Sequence, residues 1–297
     1  MPADSARRAL LFRESAAERI RRHALGLAWA LKPERAPGLP VLWGRWLTSL
    51  GQAKLPDPER ALPRPYGFAG FVKDLSVPTL IAAYGSGLYP FAHLGPLKWW
   101  SPPERAVVPV REFHVSRRIR SRMRQNRLKV TFDADFEAVI RACARPREGK
   151  VPLTWITPRI MRAYAELFDA GIAHSFEVRT EGGDLVGGGY GVAAGGVFVI
   201  ESQFAWEPGA SQIGFAVLSC HLAEWGFVLL DNKLMTPTVE RMGFRNIPRS
   251  AYLATLASAR DIGHPGRWQA VMDTKEAEAA LRSAAAAAAA AATSEEV

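Results

Sequence analysis

VFVIESQFAWEPGASQIGFAVLSCHLAEWGFVLLDNKLMTPTVERMG, residues 197–243, reads as strand, loop, helix, strand and acidic turn. Residues 197–200 form an apolar, β-branched run that ends in Glu201, and a carboxylate that close to a buried strand requires a partner or a task. Residues 227–230 form a second apolar run, which ends in Asp231-Asn232-Lys233. That places a carboxylate and an amine at the carboxyl end of a strand, the edge where sheet-based enzymes usually bind ligands. Between the two runs, Phe215, Leu218, Leu222 and Trp225 share one helical stripe, with Ile213, Val217 and Cys220 alongside. The spacing predicts a helix buried on much of its circumference.

Upstream, strands are expected at 173–179, 184–187 and 196–203, separated by Gly-rich turns. An antiparallel meander followed by a buried helix and a last strand makes an α+β layer architecture. Before the meander, Leu153-Thr154-Trp155-Ile156-Thr157-Pro158 leads into a helix carrying Ile160, Tyr164 and Leu167 on one face, with Thr157 and Pro158 as its start signal. A strand and a helix are expected over 130–142. A further helix is expected at 77–84, entered through Ser76 with Pro78 in its first turn. Residues 1–54 form a basic, partly helical extension interrupted at Pro33, Pro37, Gly38 and Pro40, in which Trp29, Trp43 and Trp46 suggest packing but no chemistry is evident. At the other end, the alanine run at 284–292 is helix-prone with nothing to pack, so 266–297 is read as a frayed or disordered tail.

The chain has 297 residues, 48% of them hydrophobic, enough for a substantial core. Cys143 and Cys220 are far apart, and His23, His93, His114, His174, His221 and His264 show no ligand spacing, so neither a disulfide framework nor a metal is expected. No apolar run approaches the roughly 18 to 20 residues that span a bilayer, and no signal-peptide core is present at the start, so a cytoplasmic protein without a membrane partner is expected. The net charge of +9 is uneven: Arg111, Arg117, Arg118, Arg120, Arg122, Arg124, Arg127 and Lys129 stand against Glu112 alone over 111–129. From charge alone, a solvated helix face and a polyanion contact are equal alternatives.

A set of short blocks resembles the leucyl/phenylalanyl-tRNA protein transferases. They are Tyr84 with Gly87-Leu88-Tyr89-Pro90-Phe91, Trp99-Trp100-Ser101-Pro102, His114-Val115-Ser116-Arg117 and Thr154-Trp155-Ile156-Thr157. Ala173-His174-Ser175-Phe176-Glu177-Val178, Leu185-Val186-Gly187-Gly188 with Tyr190-Gly191, Glu201-Ser202 with Phe204, Ala210-Ser211, and Gly243 with Ile247-Pro248-Arg249 continue them in the family's order over 55–256. The resemblance implies a small N-terminal domain at 55–104, then a GNAT-like acyltransferase domain at 105–265 with a mostly antiparallel mixed sheet flanked by helices. It implies transfer of Leu or Phe from aminoacyl-tRNA to the α-amino group of a protein beginning with Arg or Lys, by a monomer that needs no cofactor. An aminoacyl ester is already activated, so the enzyme has chiefly to position an amine and manage a proton.

By the same resemblance, Trp155 packs on the terminal adenine of the tRNA, with Phe91 as second aromatic where the family usually has Trp, and Tyr84 and Tyr164 belong to the active-site region. Phe198, Leu218, Leu222 and Leu230, together with Ser211, match the aminoacyl pocket. Gly189 stands where the family tends to have Met, which implies an enlarged pocket that accepts bulkier groups. Arg117, Arg118, Arg120, Arg122, Arg124, Arg127 and Lys129 match a basic segment that holds the acceptor stem through phosphates. Glu201 would meet the acceptor's amino terminus, and Asp231 would orient the attacking amine. Lys233 replaces the Gln of the family's proton relay, Asn232 its Cys, and Thr236, Thr238 and Gln203 stand for Asn, His and Met. An ion pair between Lys233 and Asp231 is expected. A cation there favours two alternatives: a paralogue that acylates a different amine, or a non-catalytic RNA-binding relative. An acetyl-CoA enzyme is disfavoured, because Glu207-Pro208-Gly209-Ala210-Ser211 does not match a pyrophosphate loop.

Overall fold

The computed structural model describes residues 2–48, 54–63, 66–93, 95–146, 149, 151–263 and 266–295; His264 lies outside them. The chain divides into two compact units, one running to Pro103 and including Ile140–Leu167, the other made of Glu104–Val139 with the residues from Phe168 onward. Ile140–Leu167, assigned from sequence to the C-terminal domain, therefore clusters with the first unit.

The first unit opens with three helices, α1 (Pro2–Leu11), α2 (Ala16–Ala30) and α3 (Leu39–Thr48). Ser15 and Glu18 close a full capping box on α2, which satisfies two of its orphan amides. Strand β1 (Phe68–Phe71), helix α4 (Val77–Gly85), β2 (Tyr89–Phe91) and β3 (Lys98–Trp100) follow, with the strands in the order β1-β3-β2. Ser76 stands at the start of α4, as predicted, but its hydroxyl makes no cap bond. It turns back to the Asp74 carboxylate, which also accepts from Thr79 and is held down to about 2 by these two hydroxyls.

The second unit is built on β4 (Glu104–Pro109). After it in the chain come α5 (Arg117–Gln125), β5 (Leu128–Phe132), then α6 (Phe136–Ala144) and α7 (Pro158–Asp169), whose residues within Ile140–Leu167 fall in the first unit, and then β6 (Ala173–Thr180), β7 (Leu185–Ala194) and β8 (Val197–Ala205). Then follow α8 (Ala210–Glu224), β9 (Leu229–Lys233), α9 (Pro237–Glu240), β10 (Arg245–Pro248), α10 (Arg249–Ser258) and α11 (Thr274–Glu295). Its sheet runs β10-β4-β9-β8-β7-β6-β5; only the β8–β9 pair is parallel, because α8 carries the chain back across. This is the mixed α+β, mostly antiparallel arrangement expected from the sequence.

Helix α8 explains its own composition. It packs on β6 and β7 on one side and on α5 and α11 on the other, so every residue from Ile213 to Leu222 is buried. Gly187 permits the approach of its first turn: a Cβ there would meet the Ala210 Cβ at 2.7 Å and the Ser211 amide nitrogen at 2.9 Å. The tail departs from expectation. Helix α11 begins ten residues before the alanine run, and Thr274, Ala277 and Glu278 are buried, with the Thr274 hydroxyl on the Met123 carbonyl and Glu278 accepting from Arg124 at 2.7 Å. The alanines follow a docked first turn.

Candidate active site

The two strand ends that carry the suspicious carboxylates are longer than the apolar runs suggest. Glu201 lies inside β8, which continues to Ala205, and Asp231 to Lys233 are the last residues of β9. In both places the register slips by one. On β8, Tyr190 faces Ser202 while Gly191 faces Ile200, which leaves Glu201 as the extra residue. On β9, Val107 faces Asp231 while Ala106 faces Lys233, which leaves Asn232 extra. Bulges of this kind re-aim side chains and occur preferentially beside functional sites. Lys233 takes a left-handed backbone, φ 68°, an uncommon choice for a long side chain.

The bulges separate the neighbours that the sequence paired. Lys233 does not form its ion pair with Asp231; its ammonium donates to Glu201 Oε1 at 2.8 Å and to the Ile200 carbonyl. Asp231 faces the other way and is fully buried. It accepts from Arg105 Nε at 3.3 Å and from Arg105 Nη2, from the Tyr252 hydroxyl at 2.8 Å and from the Lys233 amide at 2.7 Å. Burial pushes the Tyr252 phenol well above the usual tyrosine range, so it remains a donor. Four donors fill a carboxylate's four acceptor positions. As arranged here, Asp231 has no lone pair left for a substrate amine and instead fixes the turn that presents Lys233. Arg105 and Tyr252 were missed in the sequence. The signal was Arg105 at the head of the apolar stretch AVVP, because a buried guanidinium requires a carboxylate opposite.

In the first unit, the aromatic residues singled out from sequence do converge. The Trp155 ring lies 5.6 Å from Phe91 at a 45° tilt and 6.4 Å from Tyr164, edge-on. Tyr164 and Tyr84, both buried, share a hydroxyl–hydroxyl hydrogen bond. The loop is fixed locally: the Ile156 amide donates to the Thr154 hydroxyl at 3.1 Å and the Ile160 amide to the Thr157 hydroxyl at 3.4 Å, so Thr157 caps α7 as predicted. Trp155 and Phe91 are half-buried and present ring surface. His93 continues the row, with ring contacts of 4.8 Å to both Phe91 and Trp29. Burial, and then the Arg35 charge, lower its imidazole to about 4, so it is neutral near pH 7.

The proposed aminoacyl-pocket residues have another setting. Phe198, Leu218, Leu222 and Leu230 are each at most 1% exposed and belong to the core between sheet and helix. Ser211, half-buried, lies in the first turn of α8. The expectation at Gly189 is overturned. Its strand neighbours Phe176 and Gln203 close over it, so that a Cβ would meet the Phe176 ring at 2.8 Å and Gln203 Cγ at 2.7 Å. The volume of the missing side chain is already filled.

The basic segment forms α5 and the start of β5. Arg117, Arg118, Arg127 and Lys129 are exposed and Arg120 is half-buried. Arg122 reaches the Glu207 carboxylate and the Pro208 carbonyl, and Arg124 holds Glu278, so these two also brace the fold. Arg122 and Arg127 line an open groove of about 670 Å³ together with Gln125, Leu128, Thr180 and Glu207.

Comparison with known proteins addresses the same elements. The family model for leucyl/phenylalanyl-tRNA protein transferase matches residues 107–257, and that for the N-terminal domain of the same proteins matches 73–103. The chain is 45% identical over 225 residues to the leucyl/phenylalanyl-tRNA protein transferase of Azotobacter vinelandii, covering 75% of this chain and 99% of that one. It is 43% identical over 225 residues to that of Pseudomonas putida, covering 75% and 98%. To that of Thiobacillus denitrificans it is 43% identical over 215 residues, covering 72% and 93%. With both family domains matched in order, and the relatives covered nearly end to end at this identity, the chain belongs to the leucyl/phenylalanyl-tRNA protein transferase family.

Proposed function

We propose that this protein transfers Leu or Phe from aminoacyl-tRNA to the α-amino group of proteins that begin with Arg or Lys, acting as a monomer in the cytoplasm on a GNAT-like acyltransferase fold. The observation that carries this reading is the near-complete coverage of the named relatives. In the reaction the amine nitrogen attacks the ester carbonyl, the C–N bond forms and the C–O bond to the terminal ribose breaks. The nitrogen gives up a proton and the ribose oxygen gains one. Trp155 and Phe91 supply the stacking surface for the terminal adenine, a sequence-tolerant contact worth roughly 1 to 3 kcal/mol per base. Arg117, Arg118, Arg120, Arg127 and Lys129 neutralise acceptor-stem phosphates, with Arg122 and Arg124 contributing what their ion pairs leave over. Glu201 receives the acceptor's ammonium, Lys233 is the group that must yield it, and Asp231 holds Lys233 in place.

A second reading rests on one contact. The Lys233 ammonium on Glu201 occupies the carboxylate that a cationic acceptor would need, which favours an acceptor other than an Arg or Lys terminus. Incubation with radiolabelled Leu-tRNA and Phe-tRNA and peptides beginning with Arg, Lys, Asp or Glu decides. Label on Arg or Lys peptides supports the first reading, and label confined to other amines supports the second. Donor binding without transfer to any of them would refute both.

A further inference from the structure

Residues before the matched family domains form α1 to α3, and α2 has two apolar sides. Its inner side carries the buried Gly26 and Ala30 and the part-buried Leu25 and Trp29. Its outer side repeats the pattern: Ile20, Ala24, Leu27 and Leu31 fall at i, i+4, i+7 and i+11, within about 60° of one another around the axis. These residues face solvent, with Ile20 70%, Leu27 51% and Leu31 57% exposed. The stripe has a charged border. Arg19 flanks it on one side and Arg21 and Lys32 on the other, all exposed. Glu18 closes the capping box with Ser15 and stands near Arg21, and Glu14 pairs with Arg22 at 2.8 Å and with Arg19 at 3.9 Å; over 14–34 the cations Arg19, Arg21, Arg22 and Lys32 still outnumber Glu14, Glu18 and Glu34.

We propose that α2 is an interfacial helix that lies on an anionic phospholipid surface, with Ile20, Leu27 and Leu31 among the acyl chains and the flanking cations on the headgroups. An apolar stripe with a cationic border on both sides is the composition that such surfaces bind. Each alternative occupant leaves part of the pattern unsatisfied. Nucleic acid would meet the cations but gain nothing from three exposed aliphatic side chains, and a second copy of this chain would bring like-charged borders together. Among the described residues no helix is long and apolar enough to cross a membrane, so the attachment is peripheral. It sets aside the sequence expectation of no membrane partner.

Flotation of the full chain with vesicles tests this. The protein is expected to rise with phosphatidylcholine vesicles containing about one third phosphatidylglycerol and to stay behind with phosphatidylcholine alone. Ile20→Asp with Leu27→Asp is expected to cut the floated fraction about tenfold, and Arg19→Glu with Arg21→Glu to do the same. Both pairs are exposed, and circular dichroism checks that the fold is kept. Arg117→Glu with Arg118→Glu on α5 is expected to float like the unsubstituted chain. The proposal fails if neither vesicle binds, if the Ile20/Leu27 variant still floats, or if the α5 variant loses flotation equally. It also fails if the chain is a dimer that the Ile20/Leu27 substitutions dissociate without any vesicle binding.

Discussion

Arg105→Met isolates the buried pair behind the Glu201–Lys233 contact. Arg105 is 1% exposed and Asp231 0%, so the substitution removes the cation from a carboxylate that water cannot reach. Breaking one partner of a buried ion pair costs about 3 to 5 kcal/mol. Here the Tyr252 hydroxyl and the Lys233 amide continue to donate to Asp231, so the lower end is expected, about 3 kcal/mol. For a domain of this size that lowers Tm by about 6 to 12 °C. Adding Asp231→Asn removes the stranded charge and is expected to return most of the loss, because a neutral buried pair can be as stable as the ionic one. Thermal and urea unfolding of the unsubstituted chain and the two variants measure this directly. If Arg105→Met costs under about 1 kcal/mol, or if the double variant is less stable than the single, the account of Asp231 as a locked, structural carboxylate is wrong. Peptide labelling by the refolded double variant then asks a separate question, whether the charge itself is needed for transfer.

Lys233→Gln withdraws the ammonium from Glu201 and is expected to lower KM for an Arg-initiated peptide about tenfold, equivalent to roughly 1.4 kcal/mol, with an unchanged KM as the contrary result. Trp155→Ala is expected to weaken Leu-tRNA binding by roughly 1 to 3 kcal/mol whatever the body of the tRNA, and a loss that depends on tRNA sequence would contradict stacking. His93 is depressed from 6.5 to about 4 in the fold, so the unfolded chain takes up its proton first. Its contribution to stability is complete above pH 6.5 and is lost as pH falls from there towards 4; urea midpoints across that window should fall, and His93→Gln should flatten the change. Gly189→Met should destabilise by about 1 to 3 kcal/mol through contact with Phe176 and Gln203, and a neutral effect would show that the site has room after all.

Much of the second unit was legible because burial writes itself into composition. A helix apolar on every side, α8, had to be covered on every side, and it is. The strand meander, the capped start of α7 and the convergence of Trp155, Phe91, Tyr84 and Tyr164 also follow from spacing and from the family resemblance. What could not be read was register. Asp231 and Lys233 are two apart, and alternation puts them on one face; the extra residue Asn232 turns one of them over and changes every partner. The side-chain partners of Asp231 lie 126 residues before it and 21 after it in the chain, beyond any local pattern. At Gly189 the error was to equate a missing side chain with empty space, when close packing lets Phe176 and Gln203 fill the gap.

The Lys233–Glu201 contact is also a matter of concentration. Held on the neighbouring strand β9, the Lys233 side chain presents its ammonium to Glu201 of β8 at an effective concentration in the millimolar range or above. A bare amine in solution therefore competes poorly, however well it fits the carboxylate. A ligand prevails only if it brings further contacts of its own or meets a chain in which Lys233 has been neutralised, for example by acylation. If Glu201 receives the acceptor as proposed, the internal cation would act as a threshold that rejects small amines and leaves the carboxylate to partners that bind elsewhere as well.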